Sequence, residues 1–175
     1  SLTSWETGYA YKQFIKTFVE NTESLIMGEP EEKYTTIQAG QATGELVGGN
    51  LSLFTKLVCG KYAVNVQNKI LFLEELGFEA APEMVNSNIY YLKQNGVFDR
   101  IAGLWIGNYE HPSKISLEKI ITNAIGDEYK FPIIKSDNFG HIDKKIIIPI
   151  GTKAEINTNE KIKIKLVEKC VDEGK

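Results

Sequence analysis

From residue 69 onward short apolar runs alternate with amphipathic segments, and this alternation constrains the fold more than any other feature of the chain. Lys69–Leu73 (KILFL) is a compact apolar run of the length of a buried strand. Pro82–Asn95 carries Val85, Ile89 and Leu92 at helical spacing, with Gly96 as its stop. Ile101–Gly107 (IAGLWIG) reads as a second strand. Leu117–Ile125 reads as a second helix: Leu117, Ile120, Ile121 and Ala124 face inward, Ser116 is the N-cap and Gly126 the stop. Phe131–Ile134 opens a third strand. Strand–helix–strand–helix–strand implies parallel strands joined by right-handed crossovers, so an α/β domain with a short parallel βαβαβ core is expected.

The flanking segments are less regular. Trp5–Val19 places Trp5, Tyr9, Phe14, Ile15, Phe18 and Val19 near helical spacing, with Gly8 interrupting. Residues 21–35 are polar, include Pro30 and four glutamates, and read as a connector without a core of its own. Gly44–Asn50 reads as a tight turn, its paired glycines allowing positive φ or close backbone approach. Asn50 can then cap a helix from Leu51 to about Cys59, closed by Gly60. Late in the chain, Lys145–Ile150 (KIIIPI) reads as a strand that Pro149 confines to an edge or an end. Lys153–Ile156 and Lys161–Val167 read as a C-terminal β-hairpin around Asn157-Thr158-Asn159. The expected division is a linker over residues 1–33, a domain over 34–170 and a tail over 171–175.

Composition narrows the partners. With 175 residues, 42% of them hydrophobic, the chain can bury a core. A net charge of −3 gives no electrostatic basis for nucleic-acid binding. No apolar run approaches the ~18 residues of a membrane span, and the first residues lack the pattern of a signal peptide. Cys59 and Cys170 have neither zinc-site nor disulfide-framework spacing, which fits a reducing compartment.

In an open parallel sheet, reactive groups collect beyond the carboxyl ends of the strands. Glu74 ends the first strand of the core, and His141 lies in the loop after the third, 67 residues later. A carboxylate beside an imidazole is half of a nucleophilic triad: the acid holds Nδ1–H and leaves Nε2 free to take a proton. A lone histidine beside a glycine is more often an ordinary surface or turn residue, and spacing alone favours that reading while leaving the pair open. Glu75 faces the opposite side from Glu74, so at most one of them can meet His141. Ser52 is a conceivable nucleophile, but GGNLSLF offers no strained turn, and no G-x-S-x-G, H-E-x-x-H, P-loop or G-x-G-x-x-G occurs. A metal site built on His141 with Glu74 or Asp143 has few ligands. His111 reads as a loop histidine, Trp5 and Trp105 as packing residues, and Lys161, Lys163 and Lys165 as a charged edge.

Four blocks in order, GELVGGNLSLF (44–54), KILFLEELG (69–77), YLKQNGVFDRIAGLWIGNYE (91–110) and FPIIKSDNFGHIDKKIIIPIGTKAEIN (131–157), resemble the LD-carboxypeptidases. That family includes muramoyltetrapeptide carboxypeptidases of murein recycling and microcin C self-immunity peptidases. Asn-Gly-Val-Phe-Asp-Arg (95–100) and the later Gly-Asn-Tyr-Glu look more like the self-immunity branch. The resemblance implies a two-domain serine peptidase whose N-terminal domain, outside this chain, carries the serine and the oxyanion-hole donors. Its L-E-D/E and G-H motifs fall on Leu73-Glu74-Glu75 and Gly140-His141, which makes Glu74 and His141 the catalytic residues. Glu75 stands where Asp is common. Also implied are a swivelling β/β/α-type domain, hydrolysis of a C-terminal L,D-peptide or peptide–nucleotide carboxamide bond, no cofactor, a cytoplasmic homodimer, and Trp5 near the substrate. The isolated chain would then be inactive. The rival expectation is a stand-alone small-ligand-binding or interaction module in which Glu74 and His141 are recognition groups.

Overall fold

The computed structural model describes residues 8–21, 25, 27, 33–58 and 60–171; Trp5 and Cys59 lie outside them. A first helix, α1 (Tyr9–Phe14), continues as a π-helical turn over Ile15–Val19. Then follow β1 (Tyr34–Gln38), β2 (Gln41–Asn50), α2 (Leu51–Leu57), β3 (Ile70–Glu74), α3 (Pro82–Gln94) and β4 (Gly103–Ile106). The chain continues with α4 (Leu117–Ile125), β5 (Ile133–Ser136), β6 (Lys153–Asn157) and β7 (Ile164–Leu166).

The seven strands form one sheet in the order β1-β5-β4-β3-β2-β6-β7. β2, β3, β4 and β5 run parallel, and β1, β6 and β7 pair antiparallel at the two flanks. The expected βαβαβ core is β3-α3-β4-α4-β5, and the expected C-terminal hairpin is β6-β7.

β3 is apolar without alternation because both its faces are covered. Leu71 and Leu73 join a core with Phe54, Val85, Ile89, Leu92, Leu117 and Ile121 from the three helices behind the sheet. Ile70 and Phe72 point the other way, into a second core with Trp105, Phe139, Ala154, Ile156, Ile164 and Leu166. The hairpin thus lies over the face that the helices leave open. Each fully buried aliphatic side chain in these layers contributes about 1.5–3 kcal/mol. Both long helices bury the predicted faces, and Gly96 and Gly126 follow their last turns at φ 64° and 65°. Ser116 holds the N-cap position of α4 without a side-chain capping bond.

Several expectations need correction. Gly44–Asn50 is not a turn but the second half of β2, paired with β3 from Leu46 to Asn50. Two of its glycines serve close approach: a Cβ on Gly44 would sit 2.5 Å from the Asn68 carbonyl oxygen, and one on Gly48 1.8 Å from that of Phe72. Asn50 caps α2 as expected, accepting from Leu53 N at 3.2 Å, but the helix ends at Leu57.

Lys145–Ile150 is not a strand. Pro149 has no N–H for a ladder, and the segment is fixed by Ile146, whose side chain is buried in the second core and whose N–H donates to Asn138 O at 2.8 Å. Of the expected strand Lys161–Val167, only Ile164–Leu166 pairs. Lys163 instead bends back, its Nζ donating to Thr158 O and Glu160 O across the turn, while Lys165 bonds its cross-strand neighbour Glu155 at 3.1 Å.

The connector is not coreless. Leu25 and Met27 are buried in the second core, Leu166 N donates to Leu25 O, and Tyr34 begins an edge strand. Nor does the first helix bury its apolar stripe: Gln13 and Thr17 are buried, whereas Phe14 and Val19 are exposed. Polar contacts with the chain's end hold it there. The Cys170 thiol donates to Thr17 O, and Asn21 Oδ1 accepts from the N–H groups of Cys170 and Val171.

Candidate active site

β3 runs out at Glu74, opposite Asn50, at the carboxyl edge of the parallel strands. The backbone ladder continues past the ends of β3 and β4. Gly107 N donates to Leu73 O, Glu75 N to Asn108 O, and Asn108 N to Phe139 O. This run fastens the loop after β5 across the tips of β3 and β4. Gly140 then turns at φ 117°, a conformation that L side chains rarely adopt, and brings His141 back over Glu74. A Cβ on Gly140 would lie 3.0 Å from Glu74 Oε2 and 3.2 Å from Glu74 Cβ, so the glycine also supplies room for the carboxylate.

His141 Nδ1 lies 2.8 Å from Glu74 Oε2. The acid is 9% exposed and the imidazole 50%, so a nearly buried carboxylate holds a ring that remains open to solvent. With Nδ1 engaged as a donor, the neutral ring keeps Nε2 as its acceptor, and Nε2 has no hydrogen-bond partner among the described residues.

Glu75, the residue after β3, makes no hydrogen bond to His141, although the two line the same cavity. Its buried carboxylate accepts from Asn50 Nδ2, Ser52 N, Ser52 Oγ and Leu76 N. Ser52 is therefore bound to Glu75, with Asn88 Nδ2 donating to its hydroxyl at 3.2 Å. Asn50, Ser52, Leu53, Glu75, Met84 and His141 line one cavity of about 310 Å³. A second, of about 430 Å³, opens beside the same loop along Asn108, Asn138, Ile142, Lys33 and Lys144. Both fall within or near the size range of small-ligand sites.

Sequence reasoning missed the polar chain that supports the loop. Trp105 Nε1 donates to Ser136 Oγ at 2.8 Å, Ser136 Oγ to Asn138 Oδ1 at 2.6 Å, and Asn138 Nδ2 to Tyr34 OH at 3.2 Å. Tyr34 OH in turn donates to Met27 O. Nothing in the sequence marks these residues as partners, since they come from four separate segments; only the indole N–H of an apolar strand hinted that a buried acceptor was needed.

The other singled-out residues lie apart from the pair. His111 accepts or donates at Ser113 Oγ, 2.8 Å away within its own loop, and stacks on Tyr109. Trp105 is fully buried against Phe139. Among the described residues no three His, Cys, Asp or Glu side chains are grouped to hold a metal ion, and no helix is long and apolar enough to cross a membrane.

Known proteins resemble this chain in sequence and in fold. Residues 43–156 match the LD-carboxypeptidase C-terminal domain. The probable murein peptide carboxypeptidase of Bacillus subtilis (strain 168) is 33% identical over 96% of this chain and 51% of its own length. The microcin C7 self immunity protein MccF, solved free and with glutamyl sulfamoyl guanosine, superposes with a TM-score of 0.77 over 93% of this chain and 56% of its own, at 21% identity. A muramoyltetrapeptide carboxypeptidase from Oxalobacter formigenes gives a TM-score of 0.69 over 91% and 54%, at 18% identity. At such identities the two structures establish the shared mixed α/β fold. The chain spans about half the length of the Bacillus subtilis relative. A family match over residues 43–156, which takes in β3, the His141 loop and the hairpin's first strand, makes this chain a member of the LD-carboxypeptidase C-terminal domain family.

Proposed function

We propose that this chain is the part of a serine-type LD-carboxypeptidase that carries the general base, His141, and its orienting acid, Glu74. The observation that supports this is the 2.8 Å contact between a nearly buried carboxylate and Nδ1 of a half-exposed imidazole at the rim of a parallel sheet. Glu74 fixes the tautomer and stabilises the imidazolium; Nε2 takes the proton of an attacking hydroxyl and later returns it to the leaving amine. Ser52, tied to Glu75, does not serve as nucleophile. The nucleophile and oxyanion-hole donors come from a preceding domain outside this chain, in keeping with relatives about twice as long. The bond cut is a C-terminal L,D-peptide bond or a peptide–nucleotide carboxamide, matching the names of the murein and microcin relatives. The working enzyme is a cytoplasmic homodimer and uses no cofactor.

The test compares the intact protein, including the preceding region, with its variants in release of a terminal D-amino acid from an L,D-tetrapeptide. His141→Ala is expected to abolish acylation and Glu74→Gln to lower kcat severely, since a general base supplies about 10²–10⁴ in rate. The 175-residue chain alone is expected to release nothing. Wild-type kcat/KM in Glu74→Gln would sink the assignment. Turnover by the chain alone, surviving repurification, would sink the split between domains and favour a self-contained module.

A further inference from the structure

The geometry points to Glu75 as a positioning residue that holds the Glu74–His141 pair in register, a role that rests on the function proposed above only where turnover is concerned. Glu75 is 3% exposed and lies one residue beyond the acid that meets His141. Both of its carboxylate oxygens are used, and by donors alone. Oε1 accepts from Asn50 Nδ2 at 2.7 Å and Leu76 N at 2.9 Å; Oε2 accepts from Ser52 N at 2.9 Å and from Ser52 Oγ. A carboxylate is the group that can satisfy four converging donors, because it is acceptor-only.

The clamp reaches the reacting pair by two routes. Through the chain, it pins the tip of β3 to the β2–α2 junction, and Glu74 occupies the last paired position of that tip, opposite Asn50. Across the sheet, the same residue's N–H donates to Asn108 O, and Asn108 N donates to Phe139 O, two residues before His141. Glu75 therefore anchors one end of a hydrogen-bonded run whose other end is the loop that presents the imidazole. Loosening it moves Glu74 and His141 relative to each other, although Glu75 itself makes no hydrogen bond to the ring.

The chain's only two histidines are His111 and His141, so long-range 1H–15N spectra resolve the His141 ring directly. In the wild-type chain the neutral His141 ring is expected in the Nδ1–H tautomer that a carboxylate at Nδ1 selects. Glu75→Gln keeps the size of the side chain but brings an NH2 group against donors. It is expected to shift His141 toward a mixture of tautomers, the outcome expected also of Glu74→Gln. Glu75→Asp keeps the anionic acceptor and is expected to restore most of the wild-type spectrum. In the intact protein, Glu75→Gln is expected to lower kcat about tenfold to 100-fold with KM little changed, by analogy with the loss seen when the partner that orients a metal-bound histidine is removed. A Glu75→Gln chain that folds and keeps the wild-type His141 tautomer overturns the inference, whatever its melting temperature. Should that variant not fold, Ser52→Ala decides, since it removes one donor only: a partial tautomer shift supports the role and an unchanged ring overturns it. The spectrum reads the geometry without any turnover. A shifted ring with no hydrolysis in the wild-type enzyme would thus reject the proposed function and leave the positioning role intact.

Discussion

Substituting Gly140 by alanine tests whether the loop before His141 is shaped by the needs of Glu74. Two costs can be worked out separately. Gly140 sits at φ 117°, and holding an L residue in such a region costs about 1–3 kcal/mol. The new Cβ would also meet Glu74 Oε2 at 3.0 Å, Glu74 Cβ at 3.2 Å and Asn108 Cβ at 3.4 Å. The carboxylate end could swing aside, but only by leaving Nδ1 of His141; Glu74 Cβ and Asn108 Cβ move only with their strands. Overpacking of this kind adds about 1–3 kcal/mol. The total, about 2–6 kcal/mol, is a large share of the roughly 5–15 kcal/mol that holds a typical domain together. Gly49 provides the control: its φ is 140°, and a Cβ there meets nothing within 4 Å, so Gly49→Ala bears the conformational cost alone. Urea unfolding followed by fluorescence of the buried Trp105 measures both variants, and the His141 tautomer in each reports whether Glu74 has been displaced. Equal destabilisation by the two alanines, with an unchanged His141 ring in Gly140→Ala, would refute the reasoning.

Trp105→Phe removes the donor to Ser136 Oγ and, with it, the head of the polar chain that runs through Asn138 to Tyr34. It is expected to cost about 1–3 kcal/mol and to speed amide exchange from Asn138 to His141; unchanged exchange there would show that the loop does not depend on the indole. Glu155 has its carboxyl held below the ordinary carboxylate range, first by the Gln41 side-chain hydrogen bond and then by Lys165. A lowered folded-state value means that its stabilisation is present above the unfolded-state pKa and is lost as pH falls through the folded one. As pH falls through and below the ordinary carboxylate range, Glu155→Gln should therefore lose less of its melting temperature than the wild type does; parallel curves would show that Glu155 carries none of the acid sensitivity.

The sequence by itself determined the β3-α3-β4-α4-β5 core, because burial on both faces leaves a strand uniformly apolar and burial on one face leaves a helix striped. Glu74 and His141 were legible for the same reason: once the strands are parallel, their carboxyl ends share an edge, and whatever follows β3 and β5 must lie along it. Only the tertiary structure decided what β2 is. Its glycines signal a turn when read locally, and they become strand residues once the Phe72 backbone is seen pressed against Gly48. The same holds for KIIIPI, whose isoleucines suit a strand but of which Ile146 and Ile148 are spent on covering the second core while Ile150 is exposed. It holds too for Glu75, Asn108, Ser136, Asn138 and Tyr34, which support the pair from separate segments. Periodicity reports which side of an element is buried, whereas hydrogen-bond partners distant in sequence exist only after the layers have packed.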